Sequence, residues 1–385
     1  MIINTTFTNN EGSGIRLEGS SNVKLYNSVF FDNSSLDIST TSSESSVIGK
    51  NTFIEESYGI DDSGFNLLSS TPFLNSGNPK GDDGVLGTSD DGLYPATESL
   101  LVNAGANELN PEGTDIAGNS RIYQTIDIGA YEMQTPVLKP DVNNTIYVDK
   151  NIEGGNEDGS NWDNAVPELA MALEWAKRNE TSWSESNTLK VWVARASYTP
   201  GVNEKDSFTI PGYVEVLGGF NGAETSITQR DWVANPTILS GDLNKDQTEN
   251  IGDSHTVVTM VGNQAMLNGF YIQGGYADDA TDDALIAIGR AGAGVYNNGD
   301  NSIYNCVFRN NTAATASGIG GALVSFGGTI ALINTLMYAN EATANGGAIS
   351  AEGGTINMIN CTIADNKANR GGGVHFFRGS IDASN

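Results

Sequence analysis

The chain is short of the residues that most often build metal centres and disulfide frameworks. Its 385 residues include 2 Cys and 2 His, too few for most zinc sites or for a small fold held by disulfides. Basic residues are also scarce, since 19 Lys and Arg stand against 47 Asp and Glu, a formal net charge of -28. Phosphate binding needs clustered Lys and Arg, so we expect neither nucleic acid nor anionic membranes as partners. No run approaches the ~18 apolar residues of a membrane-spanning helix, so we expect no transmembrane segment.

A seven-residue motif that begins and ends with Asn recurs along the chain. Its copies are NTTFTNN at 4–10, NSVFFDN at 27–33, NCVFRNN at 305–311, NTLMYAN at 334–340 and NCTIADN at 360–366. The first two copies are 23 residues apart, and the last three are separated by 29 and 26 residues. Imperfect periods in this range indicate a solenoid in which one repeat forms one turn.

The segments around these motifs alternate between apolar and polar residues, as in 331–334 and 356–360. Such alternation, with β-branched and aromatic residues, indicates short strands, and the Asn and Gly between them indicate tight turns. Helical patterns are nearly absent from these segments, which argues against helix-containing solenoids. The sequence therefore predicts a parallel β-helix.

Equivalent residues of successive β-helix coils lie above one another at about 4.8 Å. We therefore expect Phe7 to stack with Phe30, Phe308 to stack with Met337 or Ile363 depending on register, and equivalent Asn side chains to form amide ladders. Glycine runs at 320–321, 346–347 and 371–373 recur at spacings of 26 and 25 residues. They are expected to mark one recurring corner, and the alternative of a low-complexity linker fits the flanking apolar alternation less well.

The two cysteines occupy the same motif position two coils apart, with Thr335 in the coil between them. Two coils of rise separate Cys306 from Cys361 by roughly 9–10 Å, beyond the ~7 Å Cα limit for a disulfide. We expect both to be unbridged packing residues.

The repeat is lost between about 65 and 134, a loop-rich stretch with the strings DDGVLGTSDDGLYP, SLLVNAGAN, DIAGNSRI and IDIGAYE. These strings resemble the C-terminal end of the secreted β-helix proteins called choice-of-anchor Q proteins. The resemblance implies that this segment closes a β-helix, commonly ahead of a surface-anchoring or sorting tail. Residues 1–64 are then the final turns of a first β-helix, and 65–134 its terminal segment.

A linker expected at 135–144 precedes a second β-helix at 145–385, expected to be incomplete at its C-terminal end. The pattern at 167–178 predicts one helix, with Pro in its first turn, basic residues at its end and an apolar face. It would cover the open end of the second β-helix.

Four further strings, LKVWVARASYTP, GYVEVLGGFNGAETSITQRDW, TILSGD and SHTVVTM, resemble entry turns of β-helix repeat proteins of the polymorphic outer-membrane-protein and pectate-lyase-like kind. The resemblance implies an all-β fold, a right-handed parallel β-helix solenoid in two units with an N-terminal capping helix on the second. It implies a secreted or bacterial cell-surface location, whereas activity does not follow from the fold.

Two acidic loops are candidate calcium sites. The first ligand set is Asp242, Asn244 and Asp246, whose D-x-N-x-D spacing places alternate oxygens on one side of a loop, with Thr248, Asn250 and Asp253 at later ligand spacings. The loop departs from the usual pattern because Gln247 replaces the turn glycine and Asp253 replaces a bidentate Glu. The second set is Asp82, Asp83, Asp90 and Asp91 around a Gly-rich turn, where paired carboxylates repel unless a cation separates them. A solvated acidic loop is the alternative for both, and an exposed insertion is expected for the cluster at 278–283.

Catalytic residues are harder to find. Arg290, Arg370 and Arg378 are candidate lyase bases, but we align no acidic strand positions next to them. His255 and His375 are expected to be structural, because neither has a nucleophile motif nearby. Trp162, Trp192 and Trp232 are expected in the core rather than as sugar platforms.

We therefore expect a structural or interaction protein that is monomeric or part of a longer chain. It would act in adhesion or bind polysaccharides and cell-surface glycans along a rigid face. The alternative is a carbohydrate-active enzyme, a polysaccharide lyase or glycoside hydrolase of the pectate-lyase-like class.

Overall fold

The chain divides into two units, unit 1 at Met1–Val137 and unit 2 at Leu138–Asn385. The structure, a computed structural model, describes residues 1–58, 64–68, 70–96, 99–134, 137–246, 250–279, 291–378 and 380–382. Each unit is described by itself. The finer divisions expected at residues 64, 134 and 144 stay a prediction.

Unit 1 contains short strands followed by a long irregular segment. Its strands are β1 (Ile2–Ile3), β2 (Thr6–Thr8), β3 (Ile15–Leu17), β4 (Asn22–Tyr26), β5 (Val29–Phe31), β6 (Ile38–Thr40), β7 (Ser46–Lys50), β8 (Phe53–Ile54), β9 (Ser57–Tyr58) and β10 (Asn66–Leu67). They form three sheets, which we name A1 (β1-β4-β7), B1 (β2-β5-β8-β10) and D1 (β3-β6-β9). The later segment has one 3₁₀ turn, at Asn107–Leu109, among its described residues.

Unit 2 repeats a similar strand order over more coils. Its strands are β11 (Thr145–Val148), β12 (Leu189–Ala194), β13 (Ser197–Tyr198), β14 (Phe208–Ile210), β15 (Val214–Phe220), β16 (Thr237–Ser240), β17 (Val258–Met260), β18 (Met266–Asn268), β19 (Phe270–Gln273), β20 (Tyr276–Ala277), β21 (Val295–Asn297), β22 (Asn301–Tyr304), β23 (Val307–Arg309), β24 (Thr312–Ala313), β25 (Leu323–Ser325), β26 (Thr329–Ile333), β27 (Leu336–Tyr338), β28 (Glu341–Asn345), β29 (Ile349–Ala351), β30 (Thr355–Ile359), β31 (Thr362–Ala364), β32 (Lys367–Arg370), β33 (Val374–Phe376) and β34 (Ser380–Asp382). Short 3₁₀ turns lie at Trp162–Asn164, Glu180–Ser182 and Ile227–Gln229.

These strands form four sheets, each of which gains a strand from nearly every coil. We name them A2 (β11-β12-β15-β18-β22-β26-β30-β34), B2 (β13-β16-β19-β23-β27-β31), C2 (β20-β24-β28-β32) and D2 (β14-β17-β21-β25-β29-β33). Neighbouring strands are parallel, and each strand pairs with its counterpart in the next coil, as in Phe308 with Met337. The fold is therefore all-β, a right-handed parallel β-helix, as the sequence predicted.

The core of unit 2 consists of vertical columns of apolar side chains. One column in sheet A2 contains the mutually paired residues Ile146, Val191, Val216, Leu267, Ile303 and Leu332. All six are buried. Burying one such side chain contributes about 1.5–3 kcal/mol, so each coil is stabilised by the coils above and below it.

The stacking expected from the motif is confirmed. Phe7 pairs with Phe30, and their rings are stacked with centroids 4.4 Å apart. Phe308 pairs with Met337, which pairs in turn with Ile363. Ile363 is therefore two coils from Phe308. The two cysteines, which immediately precede β23 and β31, are both free thiols.

Asparagine fixes two corners of each coil in different ways. The first Asn of the motif has a left-handed backbone, with φ of 52° at Asn4, Asn305 and Asn334. The last Asn forms the predicted ladder in the later coils, where Asn311 and Asn340 are buried and Asn366 is half-buried. In it Asn311 Nδ2 donates to Asn340 Oδ1, and Asn340 Nδ2 donates to Asn366 Oδ1, both at 2.9 Å.

The recurring glycines form one corner, as predicted. Gly292, Gly320, Gly346 and Gly371 have φ between 62° and 66°. A Cβ at Gly346 would lie 2.2 Å from the carbonyl oxygen of Ile349, so a larger residue would collide with the next strand of the same coil.

Helix α1 (Leu169–Arg178) covers the first coils of unit 2. It begins two residues later than predicted because Glu168 stays extended. Its buried residues are Leu169, Ala172, Leu173 and Ala176, which join the core cluster that includes Ile146 and Phe208. The helix is thus a cap on the apolar interior.

Replacing Asn340 by Ala should lower the free energy of unfolding of unit 2 by roughly 2–4 kcal/mol, since each buried polar group left unpaired costs about 1–3 kcal/mol. The amide donates to the carbonyls of Phe308 and Tyr338 and to the Asn366 side chain. Urea denaturation followed by tryptophan fluorescence measures the change. All five Trp lie in unit 2, so the signal reports that unit.

Asn334→Gly is the matched control. It removes an exposed ladder amide while tolerating the left-handed backbone, so it should cost less than about 1 kcal/mol. Equal losses in the two variants would contradict a stabilising role for the buried ladder.

Candidate functional site

The outer faces of sheets A2 and B2 are open to solvent over the later coils of unit 2. We call this surface the AB face and define it by its outward residues Asn268, Tyr304, Ile333 and Ile359 of sheet A2 and Tyr271, Gln273, Val307, Arg309, Leu336 and Tyr338 of sheet B2. All ten are half-buried. Their backbones are fixed by the ladders, so the side chains stand in regular columns.

The outer face of sheet D2 contrasts with the AB face because it is covered. Its outward residues Thr259, Tyr296, Val324 and Ser350 in the middle strands are buried, whereas Thr209 and His375 at the two ends of the sheet are half-buried. Tyr296 and Val324 pack in a cluster with Ala291, Ile319 and Phe326 from the connecting loops. No carboxylate lies among these four outward positions.

The equivalent B1 face in unit 1 is covered over strands β5 and β8, and its residues there are apolar. In the aligned motifs Val29 corresponds to Val307, and Phe31 corresponds to Arg309. Val29 and Phe53 are buried against Phe73, Ile128 and neighbouring side chains of the later segment. At the position of Phe31, unit 2 thus has the charged Arg309, whereas the position of Val29 is apolar in both units, as Val29 and Val307.

Arg309 lies at the middle of sheet B2's outer face. Its Nε donates to Gln273 Oε1 at 2.8 Å, and its Nη1 donates to the Tyr338 hydroxyl at 3.5 Å. The guanidinium carbon lies 5.3 Å from the centroid of the Tyr271 ring, in a cation–π arrangement. The cation is thus oriented by side chains from the coils on either side.

A second arginine ends the exposed Asn ladder. Arg230 Nη2 donates at 2.7 Å to Asn268 Oδ1, which also accepts from Asn305 Nδ2 at 3.0 Å. Burial lowers the pKa of Arg230, and its guanidinium stacks 5.2 Å from the Trp232 ring centroid. Trp232 is half-buried and belongs to none of the described core clusters, which corrects the expectation that it is a core residue. Trp192 does lie in a buried cluster, with Phe220.

In the acidic loop at 82–91, the carboxylates of Asp83, Asp90 and Asp91 accept hydrogen bonds from the loop backbone. Asp90 Oδ2 accepts from the N–H groups of Asp82 at 2.6 Å and Asp83 at 3.1 Å. The Thr88 hydroxyl, with backbone N–H groups, lowers the pKa of Asp90. Asp91 is 2% exposed, and its Oδ2 accepts from the Tyr131 hydroxyl at 2.7 Å. Its Oδ1 is buried without a hydrogen-bond partner.

The acidic loop at 242–253 brings together Asp242, Asn244, Asp246, Asn250 and Asp253. The backbone N–H of Asp246 donates to Asn244 Oδ1 at 2.9 Å, and Asn250 Nδ2 donates to Asp246 Oδ2 at 2.8 Å. Burial, with the nearby Asp242 and Asp246, raises the pKa of Asp253 to about 6. Gln247 and Thr248 lie outside the described residues.

Within the part of the chain that the structure describes, no group of three or more His, Cys, Asp or Glu side chains is placed to hold a metal ion. Both calcium loops therefore stay a prediction.

The histidines lie outside the strands of the AB face: His375 is in strand β33 of sheet D2, and His255 precedes strand β17. His255 Nε2 is 3.1 Å from Asp278 Oδ1 and 3.8 Å from Glu204 Oε2. Glu204 also lines an open cavity of about 740 Å³. His375 Nδ1 is 3.8 Å from Glu352 Oε1.

Of the candidate lyase bases, Arg370 and Arg378 are exposed. The Arg378 guanidinium lies 5.0 Å from the Phe377 ring centroid. Arg290 lies outside the described residues, as do Asp282 and Asp283 of the third acidic cluster.

One buried charge network was missed by sequence reasoning, although the DIAGNSRI and IDIGAYE strings contain all of it. Arg121, 2% exposed, pairs at 3.2 Å with Glu132, which is fully buried. Arg121 also donates to the carbonyls of Asp127 and Gly129, and Asp115 Oδ2 accepts from the Glu132 N–H. Burial raises the pKa of Asp127 to about 6 and that of Glu132 to about 8. These residues stabilise the fold of the segment, since they are enclosed by it.

Comparison with known families agrees with this architecture. Residues 1–78 match the family model described as right handed beta helix region. No curated protein matches the chain, and no solved structure does. A search of the described helices finds none with the length and apolar character needed to cross a bilayer.

Replacing Arg121 by Met should destabilise unit 1 by about 3–5 kcal/mol, because it leaves a buried carboxyl without its cation. The Glu132 carboxyl already has a folded pKa above its usual value, and loss of Arg121 raises it further. Stability from such a group is complete below its unfolded pKa and is lost as pH rises through the folded pKa. The loss should therefore be larger near about pH 9 than near about pH 5.

Hydrogen exchange of peptides from 99–134, corrected for intrinsic rates, measures this change. Tryptophan fluorescence of unit 2 serves as the internal reference. Arg16→Met is the control, since the exposed Arg16–Glu18 pair is expected to contribute under about 1 kcal/mol. Unchanged exchange in Arg121→Met would contradict the role of the network.

Proposed function

We propose that this protein is a structural and interaction protein that binds glycans along the AB face. The observation that carries the proposal is the difference between units at one strand position. At this position unit 1 has the apolar Phe31, which packs against the buried cluster of the later segment, whereas unit 2 has the charged Arg309; both side chains are half-buried. A face whose only role is packing would not need a cation, tyrosines and an amide in contact with solvent.

The chemistry of the AB face suits sugars. Tyr271, Tyr304 and Tyr338 offer aromatic surface with a polar group, a combination enriched at binding surfaces. Gln273 and Arg309 supply amide and guanidinium groups for hydroxyls. Because strand pairing holds these positions in place, little conformational entropy is lost on binding.

We further propose a secreted or bacterial cell-surface location and an identity among the choice-of-anchor Q or polymorphic outer-membrane-protein-like proteins. The support is the motif strings, together with the right-handed β-helix match over residues 1–78. The buried network of Arg121, Asp127 and Glu132 gives the motif residues a structural reason to occur together.

Calcium is proposed as a structural ion of the acidic loops. Asp91 supports calcium binding in the loop at 82–91. Burying a carboxylate oxygen without a hydrogen-bond partner costs free energy unless a cation or water binds it. Burial and the neighbouring Asp242 and Asp246 raise the pKa of Asp253, and a bound cation would favour its charged form, which supports calcium in the loop at 242–253.

A carbohydrate-active enzyme is the second candidate, and one cluster favours it. His255 is 5% exposed and lies between the Asp278 and Glu204 carboxylates beside an open cavity. An imidazole with two carboxylates can serve as an acid or a base.

Affinity electrophoresis of the full chain in gels containing soluble plant and microbial polysaccharides tests the glycan proposal. We expect slower migration in at least one polymer, and Tyr338→Ala should weaken that retardation by about tenfold. Tyr26→Ala, on unit 1, is the control.

Each outcome separates the candidates. No retardation in any polymer would overturn glycan binding. Release of unsaturated sugars, followed by ultraviolet absorbance and abolished in Glu204→Gln, would favour the enzyme instead.

Calcium removal is expected to lower the thermal midpoint of the wild-type chain. Isothermal titration calorimetry of calcium into chelator-treated protein should show one site fewer in Asp91→Asn and one fewer in Asp246→Asn. Glu18→Gln, an exposed acid outside both loops, is the control. An unchanged midpoint with no heat of binding would remove both loops from consideration.

A further inference from the structure

Arg309 shares with Arg230, but not with Arg121 or Arg178, a set of neutral hydrogen-bond partners, and it belongs to strand β23 of sheet B2. Arg121 and Arg178 each pair with a carboxylate of the chain. Among the residues that the structure describes, no Asp or Glu forms an ion pair with Arg309. Its described polar partners are the neutral groups of Gln273 and Tyr338.

The guanidinium is oriented, and part of it stays available. Gln273 accepts from Nε and Tyr338 from Nη1, which engages two of its five N–H donors. The half-buried side chain keeps contact with solvent. An arginine held in this way is prepared to bind a carboxylate through paired N–H groups, the geometry that guanidinium favours.

Aromatic rings lie on the coils before and after Arg309. Tyr271 belongs to the preceding strand β19 and Tyr338 to the following strand β27. Successive strands are about 4.8 Å apart, so the three side chains follow the direction of coil stacking. A polysaccharide that lies in that direction can contact a tyrosine ring with one sugar and the Arg309 guanidinium with the next sugar.

The charge of the protein limits what the ligand can be. A formal net charge of -28 repels a polymer with a carboxylate on every sugar. At physiological salt, charges farther apart than about 8 Å are largely screened, so one carboxylate at Arg309 is attracted locally. The outward positions around Arg309 on sheet B2 are Tyr271, Gln273, Val307, Leu336 and Tyr338, and none is acidic.

Resting on the proposed glycan-binding function, we propose that the AB face binds a largely neutral polysaccharide with sparse uronic acid groups. Arg309 pairs with the uronate carboxylate, and Tyr271 and Tyr338 contact the adjacent sugars. Arg309 thereby determines the specificity of the face for acidic over neutral chains.

Glucuronoxylan, the same polymer after chemical reduction of its carboxylates to alcohols, and polygalacturonate are the probes. Affinity electrophoresis of the wild-type chain should give a dissociation constant at least about tenfold weaker for the reduced polymer. Polygalacturonate should bind more weakly than glucuronoxylan at low salt, because repulsion from the acidic protein is least screened there.

Arg309→Gln tests the residue. It should bind native and reduced glucuronoxylan equally and about as weakly as the wild type binds the reduced polymer. Arg309→Lys keeps the charge without the paired donors and should fall between them. Arg370→Gln, which removes an exposed arginine of sheet C2, should bind as the wild type does.

The outcomes distinguish this inference from the function on which it rests. Equal wild-type binding to the native and the reduced polymer overturns the proposed recognition of the carboxylate. This result needs no variant and does not depend on folding of Arg309→Gln. If a folded Arg309→Gln still binds the native polymer more tightly than the reduced polymer, as the wild type does, the result overturns the placement of the carboxylate at Arg309. In both cases glycan binding stands, whereas binding to none of a wider polysaccharide panel overturns the proposed function itself.

Discussion

Pairing of each strand with its counterpart one coil away is the constraint on which both units depend. It places like residues over like, so an apolar position becomes a continuous apolar column and an Asn becomes a ladder. Phe7 on Phe30 and Phe308 on Met337 are two results of the same rule. The rule fixes the backbone and leaves the outward side chains free to vary.

Because the outward side chains can vary, three outer faces of similar backbone geometry differ in their residues and in whether other parts of the protein cover them. Connecting loops cover Tyr296 and Val324 of the D2 face, and both of these residues are uncharged. The B1 face is covered by the later segment of unit 1 at Val29 and Phe53, which are apolar. The AB face is open, and its Tyr, Gln and Arg residues suit contact with a polar ligand. Function on this scaffold thus follows from which face remains uncovered.

Much of the fold was predictable because the motif repeats. The Asn and Gly positions, the stacked pairs and the capping helix all follow from spacing, whereas the start of the helix at Leu169 depended on a local extended conformation at Glu168. The network of Arg121 and Glu132 was not predictable, since its strings occur once and pairing across 11 residues of irregular chain leaves no periodic signal. Arg309 was overlooked for another reason. Within the motif it occupies a position that elsewhere holds Thr, Phe, Tyr or Ala, and its exposure depends on whether a distant segment covers that face.

The buried amide ladder has a consequence for how such a protein can change over generations. Asn311, Asn340 and Asn366 bond to the ladder member above or below and to nearby backbone groups. A whole coil can therefore be copied or deleted by unequal recombination, and the broken ends rejoin with matching partners. Gene rearrangement in units of one coil would then lengthen or shorten an open surface without altering any existing side chain on it. The length of the surface and the side chains on it can therefore change independently of each other.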